Sequence, residues 1–199
     1  AALFGGASAF GNDLKGLRNL FTRKVVKSYD NYTIELTDHW DDLLHIGTEI
    51  DGSCQNVNGD SNLNKCLLAY LIDGKNQALV IKDPQGKIIA RSIVRVLLDD
   101  ETKPVLYQEK IYSKGNVDPS IRKALENFAI KRARDLKLTL LSAGDNADSS
   151  VHSHKHTLRS VGSSAPYEYV DADRLGITDG KYEISKDATE IVYAPVPLA

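Results

Sequence analysis

Residues 77–112, QALVIKDPQGKIIARSIVRVLLDDETKPVLYQEKIY, decide the fold. Ala78–Ile81 is a short apolar run. The Asp83-Pro84-Gln85-Gly86 that follows suits a type I turn, with Asp first, Pro second and Gly fourth. Lys87–Leu98 alternates as a long strand. Ile88, Ala90, Val94 and Val96 are set to one side, and Ile89, Arg91, Ile93, Arg95 and Leu97 to the other. The polar stretch DDETKP then turns the chain into a strand over Val105–Tyr112. The pattern predicts an antiparallel meander of three strands.

Downstream, DPSIRKALENFAIKRARDLKLTLLS (118–142) carries the strongest helix signal. Asp118 is an N-cap and Pro119 the first helical residue. Ile121, Ala124, Leu125, Phe128, Ala129, Ala133 and Leu136 form one apolar stripe. Arg122, Lys123, Lys131, Arg134 and Lys137 fall on the other face. Leu138–Leu141 reads as a buried strand, so this segment should complete a right-handed parallel crossover. Residues 142–165 are polar and Ser-rich. Beyond them, Tyr167–Val170, Tyr182–Ile184 and Ile191–Tyr193 read as strands, with a turn at Asp179-Gly180.

Upstream, Tyr32, Ile34 and Leu36 alternate as a half-buried strand. Thr37 is the expected N-cap of a short helix through Trp40, Leu43 and Leu44, with Trp40 as its aromatic anchor. A Gly/Asn/Asp-rich loop leads to a second helix, capped by Ser61 or Asn62 and burying Leu63, Cys66, Leu67 and Tyr70. Leu14, Leu17 and Phe21 share a face of a further short helix. Residues 1–12 read as a flexible arm or linker remnant, leaving 13–199 as one domain.

The chain has 199 residues, of which 42% are hydrophobic and 26% charged, an ordinary globular composition. With 25 basic and 27 acidic side chains, the net charge of -2 disfavours nucleic acid as a partner. No apolar run is long enough to span a bilayer, so no membrane role is expected. Two cysteines, Cys54 and Cys66, do not make a disulfide scaffold, and a reducing cytoplasm is the expected setting. The absence of Met, even at position 1, fits a chain cut from a longer protein.

Taken in order, these elements form an α+β domain with a mixed, mostly antiparallel sheet of about six or seven strands flanked by helices. The order resembles that of the GCN5-related N-acetyltransferases (GNAT) over residues 29–194. Residues 31–36 stand as the family's first strand, 77–112 as its meander, 118–137 as its central helix and 138–142 as the strand after it. The resemblance implies an acetyl-CoA or other acyl-CoA donor, an amine acceptor on a small molecule or protein, and a phosphate cradle before the central helix. Here Lys114, Gly115, Asn116 and Arg122 are the matching candidates, although the second Gly of the family's pattern is missing. Asp118 would occupy the helix's free N–H groups and repel a phosphate arriving there.

Four further groups could carry chemistry. Glu109, late on the third strand of the meander, is a candidate general base, and is also a candidate cross-strand partner for Arg91 or Arg95. Tyr167, Tyr169 or Tyr193 is a candidate proton donor. Cys54, in Gly52-Ser53-Cys54-Gln55, is a candidate thiol nucleophile if a His lies nearby, and a simply packed thiol otherwise. His152, His154 and His156 alternate and could hold zinc on an extended chain. Residues 82–137 hold thirteen basic and eight acidic side chains. That basic centre leaves two alternatives to acyl transfer: an interaction module for an acidic or phosphate-bearing partner, or a Cys54-dependent hydrolase or transferase.

Overall fold

The Asp83–Gly86 turn closes a hairpin for the reasons its composition gives. In the computed structural model the Gly86 amide donates to the Asp83 carbonyl at 2.9 Å. Asp83 Oδ1 accepts from the amides of Gln85 and Lys87, and Gly86 takes φ +81. Described residues are 25–28, 31–115, 118–143, 155–161, 167, 177–178, 181–185 and 189–195. The turn joins β3 (Asn76–Lys82) to β4 (Ile88–Leu98), which pair antiparallel. Ile81 lies opposite Ala90 but Lys82 lies opposite Ile88, so Ile89 is an extra residue on β4. That bulge corrects the alternation read from sequence: Ile88 packs on the opposite face from Ala90 and Val94.

The third strand of the meander is broken in two. β5 (Pro104–Gln108) pairs with β4 through Val94–Gln108, and β6 (Tyr112–Ser113) resumes pairing with β4 at Arg91–Tyr112. One more residue is spent on β5–β6 than on β4 between those pairs. The strand therefore bulges at Glu109–Ile111, and the side-chain alternation inverts across it.

Two strands precede the meander: β1 (Val25–Ser28) and β2 (Thr33–Thr37), which pair with each other, β2 also pairing with β3. Between β2 and β3 lie α1 (Trp40–His45), α2 (Ser61–Asn64) and α3 (Cys66–Ile72). Their caps differ from the expected ones by a residue or two. His39 caps α1, its Nδ1 accepting from the Asp41 amide, while Thr37 Oγ1 accepts from the His39 amide and donates to Asp42 Oδ2. Asp60 caps α2. Trp40 anchors nothing, being 59% exposed. Cys66 is fully buried, as expected.

The long helix α4 (Pro119–Leu136) starts at its Asp118 cap and ends at Lys137, whose left-handed backbone (φ +55) returns its amide to the Ala133 and Arg134 carbonyls. It leads into β7 (Thr139–Ala143), parallel to β5. β8 (Lys155–Ser160) falls in the segment read as irregular. It pairs with the end of β4 and with β10 (Lys181–Ser185), which also pairs with β9 (Ile177–Thr178). β11 (Thr189–Tyr193) pairs with β7. The main path of the sheet is β1-β2-β3-β4-β5-β7-β11, seven strands, with the four others attached beside it.

Both faces of this sheet are covered. Under α4, Leu125, Phe128, Ala129, Ala133 and Leu136 pack on Ile34, Leu36, Leu79, Ile81, Val94, Leu106 and Leu140. Under α1 and α3, Leu43, Ile46, Cys66, Leu67 and Tyr70 pack on Ala78, Val80, Ile88 and Ile93. Burying each large side chain contributes about 1.5–3 kcal/mol, which holds the helices down despite their modest length. The expected arm, residues 1–12, and the helix around Leu14–Phe21 lie outside the described residues.

Candidate functional site

Two features of the sheet converge at the C-terminal end of β5. Parallel pairing with β7 runs from Val105–Thr139 to Gln108–Ser142 and stops there. The bulge starts one residue later. Beyond it, β6 pairs among the described strands with β4 alone. The outer edge of residues 110–113 thus offers backbone N–H and C=O groups to an extended ligand, as an uncovered strand edge does. Tyr112 and Ser113 are half-buried there, and Lys114 and Gly115 are exposed.

The helix that follows is less welcoming to phosphate. Asp118 Oδ1 accepts from the Ser120 amide at 2.8 Å, and Pro119 has no N–H to give. The hydrogen bonds from the Ser120 amide and hydroxyl hold the Asp118 carboxyl below its usual range, so the cap is an anion. A pyrophosphate cannot use this helix N-terminus without displacing that carboxylate. Of the four cradle candidates, Lys114 and Gly115 (φ +45) are exposed at the loop and Arg122 is half-buried on the first turns of α4. Asn116 lies outside the described residues.

The opposite face of the sheet holds a buried polar cluster. Arg95 donates from Nε to Glu109 Oε1 at 2.9 Å and from Nη1 to Asn76 Oδ1 at 2.9 Å, with a further Nη2 contact to Glu109. The Tyr70 ring lies 5.5 Å from this guanidinium, and Tyr70 Oη accepts from Gln55 Nε2 at 3.0 Å. Arg91 donates from Nη2 to Ser53 Oγ at 3.1 Å and stacks 4.3 Å over Tyr112. Arg91, Arg95 and Glu109 have no solvent exposure. Of the two expectations for Glu109, the cross-strand pairing is the one seen: its carboxylate is buried and bound by Arg95.

Cys54 is half-buried in the loop that carries Ser53 and Gln55 over this cluster. The loop is held close at its base, where a side chain on Gly47 would run into the Gln55 backbone. Tyr169, His152 and His154 lie outside the described residues. His156 belongs to β8, opposite Ile184. Among the described residues, no three His, Cys, Asp or Glu side chains gather as a metal-binding set. No helix among them is long and apolar enough to cross a membrane.

Sequence reading missed Arg132. It was counted on neither face of α4, yet it stands two turns after Leu125 and one turn before Leu136, inside the apolar stripe, and is 6% exposed. A helical-wheel count would have found it.

No protein-family model matches the chain, and no curated protein matches it. Solved structures resemble it at low identity. A ribosomal-protein-alanine N-acetyltransferase from Brucella melitensis biovar Abortus aligns at 17% identity over 55% of this chain and 76% of that one, with a TM-score of 0.45. A transcriptional regulator from Bacillus halodurans aligns at 13% identity over 63% and 85%, with a TM-score of 0.41. A GNAT superfamily phosphinothricin acetyltransferase from Sinorhizobium meliloti, solved in complex with AcCoA, aligns at 15% identity over 60% and 65%, with a TM-score of 0.38. The fold of this chain is α+β, and its strand order and β5–α4–β7 parallel crossover follow the order of elements expected from the sequence.

Proposed function

We propose that the chain is a divergent GNAT-like acyltransfer domain whose donor, of the acyl-CoA class, lies along the bulged strand where β5 and β7 part. One observation carries this reading: pairing to β7 ends at Gln108–Ser142 just before the register shift, leaving the edge of residues 110–113 for the amide-bearing arm of such a donor. Lys114 and Arg122, rather than the helix N-terminus, would meet the phosphates. In the transfer, the acceptor's N–C bond forms as the donor's C–S bond breaks. The amine gives up a proton and the departing thiolate takes one. This reading gives Glu109, bound by Arg95, no part in that traffic.

Isothermal titration with acetyl-CoA, and separately with coenzyme A, tests the proposal. Micromolar binding that Lys114→Glu weakens and Ile111→Pro abolishes is the expected result. No heat at millimolar ligand on folded protein overturns it. The Asp118–Ser120 cap favours the second reading, an interaction module that keeps the fold without the donor and meets an acidic or phosphate-bearing partner through the basic face of α4.

A further inference from the structure

Arg132 is a guanidinium in the middle of the buried side of α4, flanked along the helix by Phe128, Ala129 and Leu136. Its Nε and Nη2, which form one edge of the planar group, are buried without a hydrogen-bond partner. The sheet face opposite shows the same unusual feature. Gln77 is opposite Val94 on β4, and Val94 is opposite Gln108 on β5. The two glutamines therefore flank Val94 in one row, on the face that α4 covers. Each is 1% exposed. Gln77 Nε2 and Oε1 and Gln108 Nε2 are also buried without partners.

Three polar side chains are thus buried in one helix–sheet interface, each with atoms that no protein group pairs. Each such group destabilises the protein unless something pairs with it. The cation's nearest acid along the helix, Asp135, is exposed and bound to Lys131 at 2.6 Å. Burial accordingly pushes the Arg132 pKa down, with Asp135 opposing the shift.

We propose that Arg132, together with the side-chain amides of Gln77 and Gln108, forms a carboxylate-binding site between α4 and the sheet. The Nε–Nη2 edge presents two parallel N–H groups at the spacing of a carboxylate's two oxygens, and the two amides add donors for its remaining lone pairs. The carboxylate has two sources: a free small dicarboxylate, or the far end of a dicarboxylic acyl group. The second is considered because Gln108 is also the last residue of β5 paired to β7. The site stands on the buried row itself and does not depend on the donor reading above.

The experiment is titration of wild type and Arg132→Met with succinate, acetate, acetyl-CoA and succinyl-CoA. Succinate binding by wild type, lost by roughly 10-fold or more in the variant, is the expected result for a free ligand. Succinyl-CoA binding at least roughly 10-fold tighter than acetyl-CoA, with the advantage gone in Arg132→Met, assigns the site to the acyl group instead. Equal binding across each pair, or binding that Arg132→Met leaves unchanged, overturns the site. If acetyl-CoA also fails to bind, the donor reading falls separately. Without ligand, Arg132→Met should melt no lower than wild type, because it removes an uncompensated buried charge. A large drop in Tm would mean the guanidinium is satisfied inside the protein, which also overturns the proposal. Gln77→Leu, which keeps the charge, should weaken the same binding.

Discussion

Arg95 on β4 and Glu109 in the bulge between β5 and β6 form a fully buried ion pair, with Nε 2.9 Å from Oε1. Each charge is compensated chiefly by the other. Glu109→Ala or Arg95→Met should therefore cost about 3–5 kcal/mol in urea unfolding, the penalty of stranding one buried charge. The joint change Arg95→Met with Glu109→Leu should recover much of that loss. Losses that simply add would show that the two are not coupled.

Asp118 sets two opposite expectations at one position. Its carboxyl is held below the ordinary value of 3.8, so its stabilisation is present above that value and disappears as pH falls through the lower folded value. Asp118→Ala should melt below wild type at pH 7, and the two melting curves should converge in strong acid. If residues 110–122 receive an acyl-CoA, the same variant should bind acetyl-CoA more tightly, because the helix N-terminus is freed. Lower melting with no gain in binding would place the phosphates elsewhere.

Lys82 bridges Glu35 Oε2 at 3.0 Å and Asp42 Oδ1 at 2.5 Å. Burial lowers its pKa, but the hydrogen bonds and charges of Asp42 and Glu35 outweigh that and leave it raised above 10.5. Its contribution is thus complete below pH 10.5 and lost as pH climbs through the folded value. Unfolding in urea at pH 8 should separate Lys82→Met from wild type, and unfolding in strong alkali should not. A gap that persists in alkali would tie the effect to packing rather than charge.

Gly47 packs directly against the Gln55 backbone at the base of the Cys54 loop. Gly47→Ala should displace Gln55, loosen its bond to Tyr70 and cost about 1–3 kcal/mol as an overpacked site does. Alkylation of Cys54 should speed up in the same variant while Cys66, with no exposure, stays protected until unfolding. Unchanged Cys54 labelling would show that the loop absorbs the extra methyl without moving.

Much of the fold was legible because its local signals agree with its packing. The Asp83–Gly86 turn, the Asp118-Pro119 start and the stripe from Ile121 to Leu136 each state a period and a boundary. What escaped reading were the places where one residue is added. The extra residue at Ile89 moved Ile88 across the sheet, and the one within Glu109–Ile111 split a strand and marked the parting from β7. A bulge changes no composition, so alternation alone misses it. The role of Glu109 was open for a related reason, since burial beneath α3 is a long-range property. Arg132 escaped because the buried stripe was read from apolar residues alone.

β4 has a consequence for how the chain reaches this state. It pairs with β3, β5, β6 and β8, and its two sides belong to different cores. The β3–β4 closure needs only a four-residue turn and is entropically cheap, whereas Leu97 meets Ser160 only after a long intervening stretch has been ordered. The meander is thus the natural folding nucleus. The β8–β10 ribbon should then join last and release first, so that among the described strands amide exchange runs faster there than at the centre of β4.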